Sequence, residues 1–335
     1  MKMTDCLRSA VLLALGLLAS GASVLGQMDQ MDRAGPVISH PAGDYTAILG
    51  HKIWYESEGQ GEPLLLIPGG PGSSHDYFHP FFSALSLQFR VIYYDPFGTG
   101  KSDRAKDPTE YSLKQEIEEV EQLRKSLGIA QWNVFGHSWG GVVAQGYAAK
   151  YPGFVKHLVL SDCLVSGKSY QETNDRANRM TAELYPENWR KIEQLRAKGV
   201  KSTAPEMMQV SPDLFALLFF YQRDNAGTLV PPSDSTLNSD ISISIMGKDM
   251  DFELSGEAAN FDWHAGLKSL RLPILILNGR ADLVVTPRQA EQLAKAAPGA
   301  KLVIFERSGH FSFAEETAGT MKTIGEFLIA PTSKN

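Results

Sequence analysis

The chain has 335 residues, of which 43% are hydrophobic and 21% charged, and its formal net charge is −6 at neutral pH. This composition excludes disordered and fibrous proteins and provides enough apolar material for a large core with an insertion. The acidic balance, without a basic cluster, argues against nucleic acid or an anionic membrane surface as a partner.

The N-terminal segment has the three parts of a secretory signal peptide. Lys2 and Arg8 precede an apolar run at 10–19, and small residues follow it. The run is shorter than the roughly 20 apolar residues needed to span a bilayer, which disfavours a retained membrane anchor. We therefore expect residues 1–26 to be removed and the mature protein to be exported, either to a periplasm or to the medium. Cys163 then remains alone, so no internal disulfide is expected.

Beyond this segment, short apolar runs alternate with amphipathic helical patterns. This alternation indicates an α/β fold with a mostly parallel sheet that helices cover on both faces. The predicted strands are 51–55, 64–67, 90–94, 132–135, 156–160, 274–277 and 302–305. The predicted core helices are 113–127, 142–150, 288–296 and 317–328.

One interval breaks the alternation. About a hundred residues separate the fifth and sixth predicted strands, whereas connections in such folds usually take about 2 to 6 residues. We predict that residues 163–264 form an inserted helical cap, and that residues 45–162 and 265–331 form the core. Within the cap, the pattern predicts helices at 188–198 and 211–223.

Residues 136–140, Gly-His-Ser-Trp-Gly, lie between a predicted strand and a predicted helix. A serine at the centre of G-x-S-x-G in that context is the signature of a nucleophile elbow. Ser138 is therefore the predicted nucleophile, and the amide of Trp139 is one predicted donor of an oxyanion hole. His137 is expected to pack in the turn.

A serine nucleophile needs a histidine base that a carboxylate orients. In this architecture the chain order is serine, acid, histidine. Asp282 follows the predicted strand 274–277, and His310 follows the predicted strand 302–305. We assign them as acid and base, with Asp162 as the alternative acid. A complete triad argues against a non-enzymatic binding protein of the same fold.

The stretch Pro-Gly-Gly-Pro-Gly-Ser-Ser at 68–74 follows a predicted strand and holds more glycine than a tight turn requires. Such glycine allows a substrate oxygen to approach the backbone closely. The second donor of an oxyanion hole comes from a loop of this kind, which predicts the amide of Gly70 in that role.

Together these motifs resemble the α/β-hydrolase fold and, within it, the proline iminopeptidase family of serine aminopeptidases. The resemblance covers most of the chain after residue 45. It rests on Gly-Gly-Pro-Gly at 69–72, Tyr-Asp-Pro-Phe-Gly-Thr-Gly-Lys-Ser at 94–102, residues 136–141, and the late Asp282 and His310. It implies release of an N-terminal residue, preferably proline, from short peptides through an acyl-enzyme and without a cofactor.

This chain departs from the family pattern at Pro68, where the family has histidine, and at Pro96, where it has glutamine. A carboxylesterase or lactonase that acts on small acyl substrates is therefore the alternative. The resemblance also implies a cap carboxylate that holds the substrate ammonium, from a Gly-x-x-Glu-Phe stretch. The similar stretch here is 247–252, which names Asp251, with Glu253 behind it.

Two histidines have the spacing of metal ligands on a helix. His75 and His79 flank Asp76, but the sequence shows no third ligand, so no metal site is predicted. The remaining histidines outside the motifs are interpreted as structural or surface groups: His40, His51, His157 and His264.

Overall fold

The computed structural model describes residues 40–229 and 237–330, and the predicted signal peptide lies outside this part of the chain. An eight-stranded sheet forms its centre. The strands are β1 (Gly43–Ile48), β2 (His51–Glu58), β3 (Glu62–Ile67), β4 (Phe89–Tyr94), β5 (Trp132–His137), β6 (Val155–Ser161), β7 (Ile274–Gly279) and β8 (Lys301–Phe305).

The strand order is β1-β2-β4-β3-β5-β6-β7-β8. The pairs β1–β2 and β2–β4 are antiparallel, and all other neighbours are parallel. Each predicted strand is present, and the predicted α/β-hydrolase fold class is confirmed. β1 was missed because Ile48 is its one fully buried residue, so the strand has no continuous apolar run.

The central strands are buried on both faces of the sheet. Every residue of β5 and β7 is buried, as is Leu64–Ile67 at the end of β3. Strands of a parallel sheet that helices cover on both sides have this continuous apolar character. Parallel pairing also places the carboxyl ends of β3, β5, β6, β7 and β8 along one edge, where the candidate site lies.

Helices connect the strands and cover both faces. Those outside the interval between β6 and β7 are α1 (Leu113–Ser126), α2 (Trp139–Lys150), α10 (Pro287–Ala296), α11 (Ser312–Glu315) and α12 (Thr317–Ile329). Those within it are α3 (Gly167–Leu184), α4 (Pro186–Arg196), α5 (Pro205–Val210), α6 (Phe215–Phe219), α7 (Ser239–Met246), α8 (Gly256–Asn260) and α9 (His264–Ser269). Among the described residues, none of these helices combines the length and the apolar character that crossing a bilayer requires.

Local signals in the sequence explain where the core helices begin. The hydroxyl of Ser112 accepts a hydrogen bond from the amide of Gln115 and caps α1. At α10, Pro287 occupies the first turn, and Thr286 with Gln289 forms a capping box. α2 differs, because its residues from Trp139 to Ala148 are all buried, so it lies inside the molecule rather than on its surface.

The cap, residues 163–264 of our prediction, contains α3 to α8 and the beginning of α9. The predicted helix at 188–198 corresponds to α4, displaced toward the N-terminus. The predicted helix at 211–223 is wrong, since only Phe215–Phe219 is α-helical there. Pro212 has no amide hydrogen to donate, and the carboxylate of Asp213 accepts the amide of Phe215 at 2.9 Å, so the helix begins only after both residues.

Candidate active site

Ser138 lies at the sharp turn between β5 and α2, with φ 54° and ψ −121°. A positive φ is rare for a residue with a side chain. The two motif glycines allow the turn: a Cβ on Gly140 would lie 2.1 Å from the carbonyl oxygen of Ile67, and one on Gly136 would lie 2.4 Å from that of Gly140. The turn presents the partly exposed Ser138 at the carboxyl edge of the sheet.

His310 and Asp282 form a buried pair. Nδ1 of His310 lies 2.8 Å from Oδ2 of Asp282, and Oδ1 of Asp282 accepts the amides of Val284 at 2.7 Å and Val285 at 2.8 Å. An ionised carboxylate only accepts, so Nδ1 carries the proton and Nε2 keeps its lone pair. Nε2 has no hydrogen-bond partner among the described residues. Burial lowers the pKa of His310, which keeps the ring neutral and able to accept a proton.

Asp162 lies beside this pair. Asp162, Asp282 and His310 each place a nitrogen or oxygen atom within 4.8 Å of the others, and Asp162 also lines a small cavity with Ser138. Asp162 accepts the amide of Gly279 at 3.0 Å and the hydroxyl of Ser161 at 2.7 Å. Burial raises the pKa of both Asp162 and Asp282. The charge of Asp282 raises the pKa of Asp162 further, whereas the amides of Val284 and Val285 lower that of Asp282, so we assign the proton to Asp162. The histidine pairs with Asp282, and Asp162 supports the β7 end.

Two backbone amides near Ser138 are free to bind an oxygen. Trp139 is the first residue of α2, and in the described part of the chain neither its amide nor that of Gly70 donates to a protein acceptor. Gly70 has φ +118°, and a Cβ on its neighbour Gly69 would lie 3.0 Å from Cβ of Ser138. The glycine loop therefore runs against the serine, as an oxyanion donor must.

Tyr77 connects this loop to the histidine segment, and sequence reasoning missed it. The amide of Gly69 donates to Oη of Tyr77 at 2.6 Å, and Oη lies 3.0 Å from Nδ1 of His137. Nε2 of His137 donates to the carbonyl oxygen of His310 at 2.9 Å. Burial lowers the pKa of His137, so the ring is neutral and its Nδ1 accepts the tyrosine proton. The glycine loop, the serine turn and the His310 segment are thereby joined in one chain of hydrogen bonds.

The segment around α6 contacts the loop that carries His310 and the loop that carries Asp282. The amide of His310 donates to the carbonyl oxygen of Phe219 at 2.6 Å, and the amide of Leu283 donates to that of Leu218 at 3.0 Å. The ring of Phe219 meets the His310 ring edge-on, with centroids 5.0 Å apart. The cap is thus bound directly to the segments that carry His310 and Asp282.

Asp251 lies in the wall of a second small cavity. Its Oδ2 is buried without a hydrogen-bond partner among the described residues, and the cavity of about 30 Å³ is also lined by Asn174, Leu218 and Val284. Burial raises the pKa of Asp251. Glu253 is exposed and lines neither this cavity nor the one at Ser138, so the structure gives no support for placing it behind Asp251.

The arrangement suits covalent acyl transfer. A partly exposed hydroxyl, a neutral buried imidazole held by a carboxylate, and two free amides are the groups that such a reaction uses. The cavity lined by Ser138, Trp139, Asp162 and Tyr170 measures about 10 Å³, which is about the space of one water molecule.

Comparisons with known proteins identify the family of the chain. The model of the α/β-hydrolase fold family matches residues 62–317. The chain is 31% identical to the proline iminopeptidase of Saccharolobus solfataricus over 293 residues, which are 85% of this chain and 91% of that protein.

Solved structures show the same fold. The crystal structure of VinJ superposes with a TM-score of 0.69 at 22% identity, covering 87% of this chain and 99% of that one. The proline iminopeptidase of Mycobacterium smegmatis superposes with a TM-score of 0.65 at 20% identity, covering 86% and 97%. The chain belongs to the α/β-hydrolase fold family and, within it, to the proline iminopeptidase family.

Proposed function

We propose that this chain is a serine aminopeptidase that releases N-terminal proline, or another N-terminal residue, from short peptides through an acyl-enzyme. The observation that supports this proposal most directly is the 2.8 Å pair of His310 and Asp282 beside the strained turn of Ser138, in a chain of the proline iminopeptidase family. The remaining steps follow from the chemistry of these groups.

In the first half-reaction, Oγ of Ser138 attacks the carbonyl carbon of the N-terminal residue while Nε2 of His310 accepts the hydroxyl proton. Asp282 keeps His310 in the required tautomer and stabilises the imidazolium that forms. The amides of Gly70 and Trp139 stabilise the oxyanion of the tetrahedral intermediate. His310 then returns the proton to the leaving amine, and the shortened peptide departs.

In the second half-reaction, water attacks the ester carbon of the acylated Ser138. Nε2 of His310 takes a proton from that water and returns one to Oγ, so the N-terminal residue leaves as a free amino acid. No step requires a cofactor.

We further propose that Asp251 accepts the free ammonium of the substrate. Its unpartnered buried carboxyl oxygen supports this role, because an ammonium would ionise the group and satisfy it. The two cavities share α3: Tyr170 of this helix lines the cavity at Ser138, and Thr173 and Asn174 line the cavity at Asp251. Access from one cavity to the other would require the side chains between them to move.

The alternative is a carboxylesterase or lactonase with the same triad. Pro68, before the glycine loop, and Pro96, before the next glycine turn, depart from the family pattern, so the peptidase specificity is less secure than the hydrolase chemistry. Such an enzyme needs Ser138, Asp282 and His310 but no acceptor for an ammonium group.

The test is a parallel measurement of initial rates on a prolyl chromogenic amide and on a short-chain nitrophenyl ester. Ser138→Ala serves as the blank, and Ser126→Ala, on the far end of α1, is the control serine substitution. Amide turnover that disappears in Ser138→Ala and when the substrate amine is blocked supports the aminopeptidase. Ester turnover alone would reject it in favour of the alternative.

Asp251→Asn tests the ammonium site. We expect KM for the free prolyl amide to rise about tenfold or more, since a charged hydrogen bond contributes roughly 1.5–3 kcal/mol. Turnover of the uncharged ester is expected to stay unchanged. Glu253→Gln is the matched control on the surface. Equal KM values for the wild type and Asp251→Asn would remove Asp251 from substrate binding.

We also propose that the protein is exported after cleavage near residue 26. The charged start, apolar run and small residues of the N-terminal segment support this proposal. N-terminal sequencing of the protein recovered from a secreting host should begin near residue 27, and a chain that retains Met1 or Lys2 would refute it.

A further inference from the structure

A second cluster of ionisable side chains lies apart from the residues proposed for catalysis. It combines His75 and His79, which flank the short turn Asp76–Phe78, with Glu56 of β2 and His40 ahead of β1. The residues near His75 and His79 in the sequence include no third ligand. The fold supplies two, because β2 and the segment before β1 fold against this turn.

The four side chains converge on one point. Oε1 of Glu56 lies 3.0 Å from Nδ1 of His40, 3.1 Å from Nε2 of His75 and 2.7 Å from Nε2 of His79. One ligand atom from each residue lies within 4.8 Å of all the others. Glu56, His75 and His79 are buried, whereas the His40 side chain is 26% exposed, so the cluster can be reached from solvent through His40.

The tautomer of His75 is fixed from outside the cluster. Its Nδ1 lies 2.7 Å from Oδ1 of Asp95, and a carboxylate only accepts, so Nδ1 carries the proton. In a neutral ring, Nε2 then presents a lone pair toward the cluster. Because Oε1 of Glu56 lies 3.1 Å from this nitrogen, a positive charge must lie between the two atoms, either a proton on Nε2 or a metal ion.

The hydrogen bonds leave part of the cluster unsatisfied. Nε2 of His75 makes no hydrogen bond within the described chain, although Oε1 of Glu56 is close enough. The angle between the two groups, and not their distance, therefore excludes the hydrogen bond. Oε2 of Glu56 is also buried without a partner there. Unpaired nitrogen and oxygen atoms of this kind, beside converging imidazole rings, are expected at a site that binds a cation.

We propose that His40, Glu56, His75 and His79 bind one divalent transition-metal ion, with Zn²⁺ the preferred ion. Three imidazole nitrogens and one carboxylate oxygen form a tetrahedral donor set that suits zinc. A tetrahedron with bonds of about 2.0–2.1 Å has edges of about 3.4 Å, so Oε1 of Glu56 would move away from the three nitrogens by about 0.3–0.7 Å. Asp95, holding Nδ1 of His75, is the outer carboxylate that commonly orients a zinc-bound histidine.

The ion would have a structural role that reaches the active site. Tyr77 lies between two of the ligands in sequence, and its hydroxyl holds the amide of Gly69 beside Ser138. Binding at His75 and His79 would fasten both ends of the turn that positions Tyr77. Four protein ligands close the site, so the ion itself would not contact the substrate.

The first experiment measures metal content. The full chain, without a polyhistidine tag, is incubated with Zn²⁺, desalted, and measured by inductively coupled plasma mass spectrometry. We expect about one Zn²⁺ per chain, and a fall in Tm of about 5 °C or more when a chelator removes it. Restored Zn²⁺, but not Mg²⁺, should return the original Tm. A zinc content near zero with an unchanged Tm would overturn the proposal and leave an imidazolium between Asp95 and Glu56.

Variants locate the site. His79→Ala and Glu56→Gln should lose stoichiometric Zn²⁺, and His40→Ala, the partly exposed ligand, covers the case in which the buried variants do not fold. His264→Ala is the control, because that exposed histidine pairs with Asp262 outside the cluster. Asp95→Asn should weaken Zn²⁺ binding by about 10- to 100-fold in a chelator competition. Full Zn²⁺ retention in folded His79→Ala, Glu56→Gln and His40→Ala would refute the assignment.

Two further readouts separate this proposal from the proposed function. Co²⁺ in the site should give the strong visible bands of tetrahedral coordination, and these should be absent in Glu56→Gln. Ser138→Ala should bind Zn²⁺ as the wild type does, because it alters only the proposed nucleophile. Loss of Zn²⁺ in Ser138→Ala would contradict a separate site.

Discussion

Replacing Tyr77 with phenylalanine tests whether the glycine loop is held in place for catalysis. The substitution removes one hydroxyl that accepts the amide of Gly69 at 2.6 Å and donates to Nδ1 of His137 at 3.0 Å. Both partners are buried, and an unsatisfied buried polar group costs about 1–3 kcal/mol. We therefore expect Tyr77→Phe to lower the free energy of unfolding by about 2–6 kcal/mol.

The effect on catalysis follows from the position of Gly69. Without the tyrosine hydroxyl, the glycine loop can shift, and the adjacent amide of Gly70 no longer points at the position of the oxyanion. Loss of one such donor costs at most about 10²- to 10³-fold in kcat. We expect a fall of about 10- to 100-fold in kcat with little change in KM, because the donor acts mainly in the transition state.

The matched control is Tyr147→Phe. Tyr147 is also buried, and its hydroxyl bonds Trp132 and Glu121 at 3.2 Å and 3.1 Å, but it lies on α2 away from the glycine loop. Urea unfolding should show that both variants lose stability, and initial rates on the substrate that Ser138 turns over should show that only Tyr77→Phe loses kcat. Equal kcat values for the two variants would refute the positioning role of Tyr77.

Two further predictions concern buried carboxyl groups. Asp282→Asn should lower kcat by about 10⁴-fold, because His310 would lose the tautomer that accepts the serine proton. Asp162→Asn should lower kcat by less than about tenfold, because Asp162 is already neutral. Equal losses of kcat would show that both carboxyl groups orient His310. Glu119 is buried and accepts the amide of Phe97 at 3.1 Å, and burial raises its pKa from 4.5 to about 8. The stability it contributes is therefore full below about pH 4.5 and lost as the pH rises toward about 8, so Glu119→Gln should gain on the wild type by up to about 4–5 kcal/mol across that window in urea unfolding. Parallel pH profiles of the two proteins would contradict this assignment.

Sequence reasoning succeeded where burial is continuous or a motif fixes local geometry. Leu64–Ile67 in β3 and Ile274–Leu277 in β7 are apolar and buried at every position, so their pattern predicts these strands directly. The turn at Ser138 needs glycine at 136 and 140 for steric reasons that any chain with this fold shares.

It failed where buried positions are polar. The long helix α3 buries Ser169, Thr173 and Asn174 among others, so it lacks the apolar periodicity by which helices are recognised. Its start is signalled only by Ser166, which caps it. Asp251 and Glu253 show the same limit, since two acids that are near neighbours in the sequence differ in burial once the cap folds.

Groups assembled from distant segments were also beyond the sequence. Glu56 meets His75 and His79 only because β2 pairs with β4 next to the turn that carries both histidines. Tyr77 meets His137 only because β5 ends beneath the same turn. Both contacts depend on sheet order, which the spacing of residues along the chain does not reveal.

The hydrogen bonds from α6 to the loops of His310 and Asp282 couple the position of the cap to the position of the residues that transfer the proton. Displacing α6 to admit a substrate would break the bonds at Phe219 and Leu218 and release the segments that carry the base and its acid. In an opened enzyme the base would be held only through Asp282 and His137, so the fully constrained arrangement would form when the cap closes over the substrate. Changes in the cap far from Ser138 would consequently alter the rate of bond cleavage as well as the choice of substrate.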